Sequence, residues 1–223
     1  MRRGLALLAA AGLTLAGCQS AALAGEGTVH APMAKREASE KGLKTAVFAG
    51  GCFWGVEAVF SHVKGVKSAV SGFAGGSKGS ASYDTVSGGD TGHAEAVKVI
   101  YDPAVVRYDQ LLRIYFSVIA DPTLKNRQGP DSGAQYRTAL FPQGPEQTAV
   151  AKAYIAQLSA AKLWSRPIVT TIESGAFYPA EAYHQDFAYN NPKHGYIVRW
   201  DAPKVAALKA MYPGVWQAAF TRN

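Results

Sequence analysis

The spacing of apolar residues predicts the first elements of a folded domain that begins near Lys44. A short apolar run at 45–49, closed by two glycines, is typical of a strand. A second run of strand type covers 66–73, so the domain opens as a β-α-β unit. Between these strands, four apolar residues fall at i, i+3, i+4 and i+7 and predict a helix: Val56, Val59, Phe60 and Val63.

The rest of the chain continues this mixture, with long polar or glycine-rich loops at 72–79, 87–92 and 121–133. Further strands are predicted over 94–101, 135–141 and 168–172. Further helices are predicted around 111–119, from Pro145 onward and over 203–211, with irregular chain after 177. We therefore expect an α+β fold: a single two-layer domain with a mixed β-sheet, packed helices and a ferredoxin-like β-α-β core.

The N-terminal segment has a different pattern. Arg2 and Arg3 precede an apolar run that ends near Ala16. This run is shorter than the ~20 residues that a membrane-spanning helix needs, and it is typical of a signal peptide. The next residues, Leu15-Ala16-Gly17-Cys18, resemble a bacterial lipobox, in which the cysteine is acylated and becomes the new N-terminus. A plain signal peptide that is cut nearby is the alternative.

We divide the chain accordingly into three parts. Residues 1–17 are the predicted signal peptide, 18–43 a lipidated N-terminus and flexible tether rich in small and polar residues, and 44–223 the folded domain. This division predicts an exported protein of the cell envelope that is held to a membrane by lipid on Cys18. In a Gram-negative cell it would lie on the periplasmic side or at the outer membrane.

Composition narrows the remaining classes. The 223 residues are 48% hydrophobic, enough for one sizeable core. The net charge of +7 is scattered, without a run of five like charges, so we expect no nucleic-acid partner. Two cysteines allow no disulfide framework, and if Cys18 is acylated, Cys52 is the only thiol left. We expect a monomer.

The setting of Cys52 suggests a reactive thiol. It stands in Gly50-Gly51-Cys52-Phe53-Trp54-Gly55, where a predicted strand becomes a predicted helix. Unpaired N–H groups and the helix dipole favour an anion there, so we expect a lowered pKa and a nucleophilic thiolate. The alternative is an inert buried cysteine whose aromatic neighbours pack the core.

The segment Gly-Cys-Phe-Trp-Gly resembles the signature of the A-type peptide-methionine (S)-S-oxide reductases (the MsrA family). The chain departs from the family pattern at two positions. Phe73 stands where the family usually has Tyr, and Ala134 stands where it more often has Thr. The resemblance covers about 44–212 and extends to these further segments: Gly72–Gly76, Tyr83–Gly89, Gly89–Val97, Asn126–Gly129, Asp131–Arg137, Phe177–Glu181 and His184–Asp186.

The resemblance implies a reaction and two catalytic residues. Cys52 would attack the sulfoxide sulfur, release methionine and become a sulfenic acid. Glu95 would protonate the leaving oxygen, provided that burial raises its pKa. Strand alternation alone leaves open that Glu95 is an ordinary outward carboxylate.

The resemblance also implies a substrate pocket specific for the S epimer. Tyr83 and Tyr136 would donate hydrogen bonds to the oxide, and Asp131 would assist Cys52 or Tyr136. Phe53 and Trp54 would form the wall for the S-methyl group. Each tyrosine is alternatively a half-buried structural residue, and Asp131 a turn residue. His184 is expected to have a structural or substrate-loop role.

No tightly bound cofactor and no metal are expected. Many members of the family carry later cysteines that resolve the sulfenic acid, but none follows Cys52 here. The implied cycle therefore uses one cysteine and an external thiol, such as thioredoxin or a similar reductant, with oxidised proteins or peptides as substrates. Two alternatives stay open: a cysteine hydrolase that uses His93 or His184, and a binding lipoprotein on an inactive reductase scaffold.

Overall fold

The computed structural model describes residues 28–223, so the predicted signal peptide and the predicted lipidation site, Cys18, lie outside the described residues. The strands are β1 Lys44–Gly50, β2 Val66–Ala74, β3 Ala94–Tyr101, β4 Arg127–Gln128, β5 Asp131–Ser132, β6 Thr138–Phe141, β7 Thr171–Ile172 and β8 Phe177–Pro179. The helices are α1 Phe53–Ser61, α2 Tyr83–Val86, α3 Tyr108–Ile114, α4 Pro145–Ala161, α5 Phe187–Asn190 and α6 Ala202–Met211. Two π-helical turns cover Tyr115–Ile119 and Ile197–Asp201.

Six strands form a mixed sheet in the order β7-β6-β1-β3-β2-β8, and β4 pairs with β5 in a separate hairpin. Strand β3 lies between β1 and β2 and is antiparallel to both, so β1 and β2 are parallel. The opening β1-α1-β2 unit is thus a split β-α-β unit with β3 inserted at its centre. The predicted α+β class, single domain and mixed sheet are confirmed.

The main core lies between α1 and one face of the central strands. Phe48 of β1 points to this face and contacts the rings of Phe60, Tyr108 and Tyr115, with centroid distances of 4.8, 5.9 and 5.8 Å. Its neighbour Val47 points to the opposite face, as the two-residue period of a strand requires. That second face carries a smaller cluster made mostly of alanines. The helices therefore cover the face toward which Cys52 and α1 are directed.

The prediction of a flexible tether through residue 43 is wrong for its described part, 28–43. The Ala31 side chain is 0% exposed, and its N–H donates to Ser117 Oγ at 3.1 Å. The Ala38 N–H donates to Asp109 Oδ1 at 2.9 Å. Most of these backbone groups pair with side chains of the domain, and the Val29 N–H donates to the Ser117 carbonyl, so the segment is held without a regular ladder and shows no helical or strand period.

Several predicted strands are shorter than expected. Residues 134–136 form a 3₁₀ turn, so the strand predicted over 135–141 begins only at Thr138. The strand predicted over 168–172 pairs only through Thr171 and Ile172, at the sheet edge. Among residues 28–223, no helix combines the length and the apolar character that crossing a membrane requires.

Candidate active site

Cys52 lies between β1 and α1, at the N-cap position of the helix, with φ −53° and ψ 124°. The turn before it depends on Gly51, which has φ +87°. A Cβ atom at Gly51 would lie 2.5 Å from Gln128 Cβ, so only glycine fits between this turn and β4. The turn leaves the Cys52 residue 9% exposed.

Glu95 is held against the same turn by a hydrogen bond. The Phe53 N–H, which follows Cys52 directly, donates to Glu95 Oε2 at 3.0 Å. Glu95 shares the helix-covered face of β3 with Val97 and Val99, and its residue is 3% exposed. The alternative of an outward carboxylate is therefore excluded.

Burial is the main reason that the Glu95 carboxyl keeps its proton. It raises the Glu95 pKa to about 8, and the charges of Asp131 and Asp201 act in the same direction. The Phe53 N–H opposes this effect but does not cancel it. At neutral pH most Glu95 side chains are uncharged, and an uncharged carboxyl can serve as a general acid.

The Cys52 thiol is also protonated at neutral pH, which corrects the expectation of a resting thiolate. Burial raises the Cys52 pKa well above its ordinary value, and the charges of Glu95 and Asp201 add to this rise. The helix N-terminus does contribute, because the Trp54 N–H bonds to the sulfur and lowers the pKa. In a buried site, however, loss of hydration outweighs one backbone donor.

Two half-buried tyrosines approach this pair from different elements. Tyr83 begins α2, where its N–H donates to Glu181 Oε1 at 2.9 Å, and Tyr136 ends the 3₁₀ turn before β6. Burial raises the pKa of both phenols, and the charges of Glu95 and Cys52 raise them further. Both hydroxyls therefore remain neutral hydrogen-bond donors at physiological pH.

The two aromatic residues after Cys52 take different positions. The Phe53 residue is 1% exposed and packs on Phe73 and His184, with ring centroids 5.8 and 5.0 Å apart. Trp54 is half-buried and stacks face to face on Phe187 at 3.8 Å. Trp54 therefore keeps more of its ring accessible than Phe53 does.

Asp131 lies on β5 and is half-buried, and its Oδ2 accepts a hydrogen bond from the Tyr196 hydroxyl. Burial raises the Asp131 pKa, while this bond and the Lys204 charge lower it. The structure thus brings all seven described residues of the predicted site to one region. These are Cys52, Phe53, Trp54, Tyr83, Glu95, Asp131 and Tyr136.

Four further residues lie at the site: three were not predicted from the sequence, and the fourth, His184, makes more contacts than expected. His184 is 2% exposed, accepts a hydrogen bond from Trp54 Nε1 at 3.2 Å and packs 4.4 Å from the Tyr83 ring. Burial lowers the His184 pKa, so its ring is neutral. The missed residues follow this histidine in the chain, and they are Tyr196, Asp201 and Lys204.

Gly55, the last residue of the Cys52 segment, lies in contact with Asp201. A Cβ atom at Gly55 would lie 2.2 Å from Asp201 Oδ1, so the carboxylate sits against the first turn of α1. In the sequence, Asp201-Ala-Pro-Lys204 has the composition of a helix start. No local signal distinguishes such an aspartate from one that is buried beside a thiol.

These groups define a class of protein. A buried thiol, a protonated carboxyl and two neutral phenols suit thiol chemistry on a substrate that takes up a proton as it is reduced. Within the described range 28–223, no three His, Cys, Asp or Glu side chains are grouped as metal ligands would be. The thiol, the carboxyl and the two phenols together have the composition of a thiol-dependent redox site.

Comparison with known proteins identifies the family. The family model described as peptide methionine sulfoxide reductase matches residues 44–213. A peptide methionine sulfoxide reductase of Mesorhizobium japonicum is 57% identical over 181 residues, which cover 81% of this chain and 93% of that protein. One of Synechocystis is 51% identical, with 77% and 81% of the two chains covered.

Solved structures agree with this result. Reduced Mxr1 of Saccharomyces cerevisiae has a TM-score of 0.59 at 35% identity, with 68% of this chain and 87% of that chain covered. Methionine sulfoxide reductase A of Corynebacterium diphtheriae has a TM-score of 0.57 at 31% identity, with 74% and 89% covered. The chain belongs to the peptide methionine sulfoxide reductase family, and it reduces methionine sulfoxide with a thiol.

The protonated state of Glu95 predicts the effect of Glu95→Gln. The amide keeps the shape of the side chain but cannot give up a proton, so we expect kcat to fall ~10²–10⁴-fold. In the wild type, kcat/KM, which reports the ionisation of the free enzyme, should decline as pH rises through about 8, the pKa of Glu95. Steady-state kinetics with a sulfoxide peptide and dithiothreitol across this pH range measure both effects.

The same variant has an expected stability signature. The folded pKa of Glu95 lies above its unfolded value of 4.5, so ionisation destabilises the folded wild type increasingly from that value through about 8. Urea unfolding should therefore show Glu95→Gln gaining stability relative to wild type at alkaline pH. The exposed Glu37→Gln serves as control. A stability difference that does not change with pH would contradict a buried, protonated Glu95.

Proposed function

We propose that this chain reduces the S epimer of methionine sulfoxide in proteins and peptides, with Cys52 as nucleophile and Glu95 as general acid. One observation carries this proposal. The Phe53 N–H holds the buried Glu95 carboxyl at the turn that presents Cys52, so the nucleophile and the proton donor serve one substrate position.

The proposed reaction transfers one oxygen atom. The Cys52 sulfur attacks the sulfoxide sulfur while Glu95 protonates the oxide, and the thiol proton of Cys52 passes to the Glu95 carboxylate, which is thereby protonated again. The S–O bond of the substrate breaks and an S–O bond forms on Cys52, with methionine as the product. Methionine sulfoxide gains two electrons and Cys52 loses two, so the enzyme ends as a sulfenic acid. Tyr83 and Tyr136 stabilise the oxide by hydrogen bonds.

The arrangement of polar and aromatic groups supports stereospecificity. Trp54 offers an aromatic face to the S-methyl group, a contact worth ~0.3–1.5 kcal/mol. The phenols and Glu95 come from other elements and meet the oxide. The S-methyl group and the oxide are attached to the same chiral sulfur. For a fixed direction of the peptide chain, only one epimer can place its methyl group on Trp54 and its oxide at the phenols and Glu95.

Separated epimers test this proposal directly. We expect the purified protein with dithiothreitol to consume the S epimer of a methionine sulfoxide peptide and to leave the R epimer unchanged, as judged by chromatography. Cys52→Ser should abolish the reaction, because a hydroxyl is a far weaker nucleophile. Glu37→Gln should behave as wild type. Equal consumption of both epimers, or activity in Cys52→Ser, would contradict the proposal.

We further propose a one-cysteine cycle. Cys52 is the free cysteine of the described residues, and no cysteine follows it in the sequence. The sulfenic acid is therefore reduced from outside, by thioredoxin, a thioredoxin-like exported protein or a small thiol. The thiolate of the reductant attacks the Cys52 sulfur and expels hydroxide, and a second thiol then resolves the mixed disulfide.

Mass spectrometry after one turnover without reductant tests this cycle. We expect the Cys52 peptide to gain one oxygen, or one adduct when a sulfenic-acid reagent is present. The matched control is the same protein mixed with unoxidised methionine peptide. An intramolecular disulfide between Cys18 and Cys52, seen as the loss of two hydrogens, would refute it.

We also propose that the protein is an exported lipoprotein of the cell envelope, anchored through Cys18. The lipobox-like segment before Cys18 supports this, and the anchor would hold the reductase where exported proteins are oxidised. Expression in a Gram-negative host should place the protein in the membrane fraction and should incorporate labelled palmitate. Cys18→Ala should lose the label. Palmitate labelling that persists in Cys18→Ala would exclude this anchor site.

A further inference from the structure

Asp201 is a buried carboxylate that the reaction above does not use. It ends the π-helical turn Ile197–Asp201, it is 0% exposed, and neither carboxylate oxygen has a hydrogen-bond partner. The nearest cation is Lys204, whose Nζ lies 3.8 Å from Asp201 Oδ1. One oxygen lies against Gly55, on the first turn of the helix that presents Cys52.

A structural role does not account for this side chain. Asp201 occupies the N-cap position of α6, yet its side chain makes no capping hydrogen bond. Burying a carboxylate without hydrogen bonds costs stability, and a neutral residue of the same shape would avoid that cost. Perturbed buried carboxyls are concentrated at functional sites, and this one lies against Gly55 in the first turn of the helix that Cys52 caps.

The charged and titratable groups coupled to Asp201 come from several parts of the chain. Burial raises the Asp201 pKa to about 6, with Lys204 lowering it and Asp131 raising it, so Asp201 is mostly ionised at neutral pH. Its charge raises the pKa of Cys52, Glu95 and Tyr196 in turn. The groups coupled to it by charge are Lys204 on α6, Asp131 on β5, Glu95 on β3, Tyr196 before the π-helical turn and Cys52 before α1. His62, Tyr189 and Lys209 line the same cavity as Asp201.

We propose that Asp201 is a positioning residue whose charge, placed behind the first turn of α1, keeps Cys52 in its thiol form while the site is empty. Lys204 acts on Asp201 and thereby sets the pH range in which this restraint operates. The inference rests on Cys52 as the nucleophile, but its test measures thiol ionisation and needs no turnover.

Keeping Cys52 protonated in the empty site would protect a one-cysteine enzyme from over-oxidation. A peroxide transfers one oxygen to a thiolate sulfur, which becomes sulfenic acid, and the second peroxide oxygen leaves as hydroxide. A further peroxide converts the sulfenic acid to sulfinic acid, which ordinary thiols do not reduce. The thiolate is the form that reacts. A thiol that stays protonated until substrate binds therefore avoids this loss.

Alkylation of Cys52 across pH gives a direct test. The probe is iodoacetamide, and the rate constant is read from the mass of the Cys52 peptide, which keeps any reaction at Cys18 separate. We expect Asp201→Asn to react faster than wild type at pH ~7.5, by ~10-fold for each unit by which the thiol pKa falls. Toward pH ~5 the two rates should converge, because Asp201 in the wild type becomes protonated and loses its charge.

A second variant tests the same mechanism by another route. Lys204→Met removes the cation that lowers the Asp201 pKa, so the pH at which the wild-type profile changes slope should move upward from about 6. The exposed Glu37→Gln should reproduce the wild-type profile.

Two results would overturn the inference. The first is an Asp201→Asn profile that coincides with wild type. The second is a rate increase that is the same at every pH, which would show that the substitution merely opens the site. In either case S-epimer turnover that depends on Cys52 would leave the proposed function intact, so the two failures are distinguishable.

Discussion

The active site depends on one hydrogen bond, from the Phe53 N–H to the buried carboxyl of Glu95. The donor is one of the first N–H groups of α1, which have no partner within the helix. The acceptor comes from β3, the strand at the centre of the split β-α-β unit. This bond fixes the helix start against the sheet, and with it the position of Cys52 relative to its proton donor.

Burial explains the remaining properties of the site better than the helix N-terminus does. Cys52 and Glu95 are both desolvated, and both keep their protons at neutral pH. Proton transfer to the substrate oxide therefore needs no solvent proton. The same desolvation makes each nearby charge effective, which is why Asp201 influences the thiol without a hydrogen bond to it.

The sequence predicted correctly those elements and motifs that depend on residues close together in the chain. The strand 94–101 has the predicted bounds, α4 begins at Pro145 as expected, and Cys52 lies at the predicted turn from strand to helix. The Cys52 segment and the motif around Glu95 identified the family before any geometry was known. Such features depend on side-chain period, on proline and glycine chemistry and on short motifs, all of which can be read along the chain.

Prediction failed where the decisive contact joins distant parts of the chain. Asp201 contacts Gly55, which is 146 residues away in the sequence, and the spacing of apolar residues cannot predict such a contact. The sequence of residues 28–43 looks like that of a linker. Its backbone groups are hydrogen-bonded mainly to side chains of the domain, and such bonds leave no periodic pattern in the sequence. The ionisation of Cys52 was misjudged for a related reason. The dipole of a helix start can be read from sequence, whereas the desolvation that outweighs it depends on the finished packing.

The central claim is that packing, through desolvation, keeps Glu95 protonated at neutral pH. Nuclear magnetic resonance of the protein labelled with ¹³C at glutamate carboxyls measures this state directly, with Glu95→Gln used to assign the resonance. The account predicts that the Glu95 carboxyl titrates with a midpoint near 8. A midpoint close to the ordinary glutamate value of ~4.3 would contradict it, because the carboxyl would then have no proton to give at neutral pH.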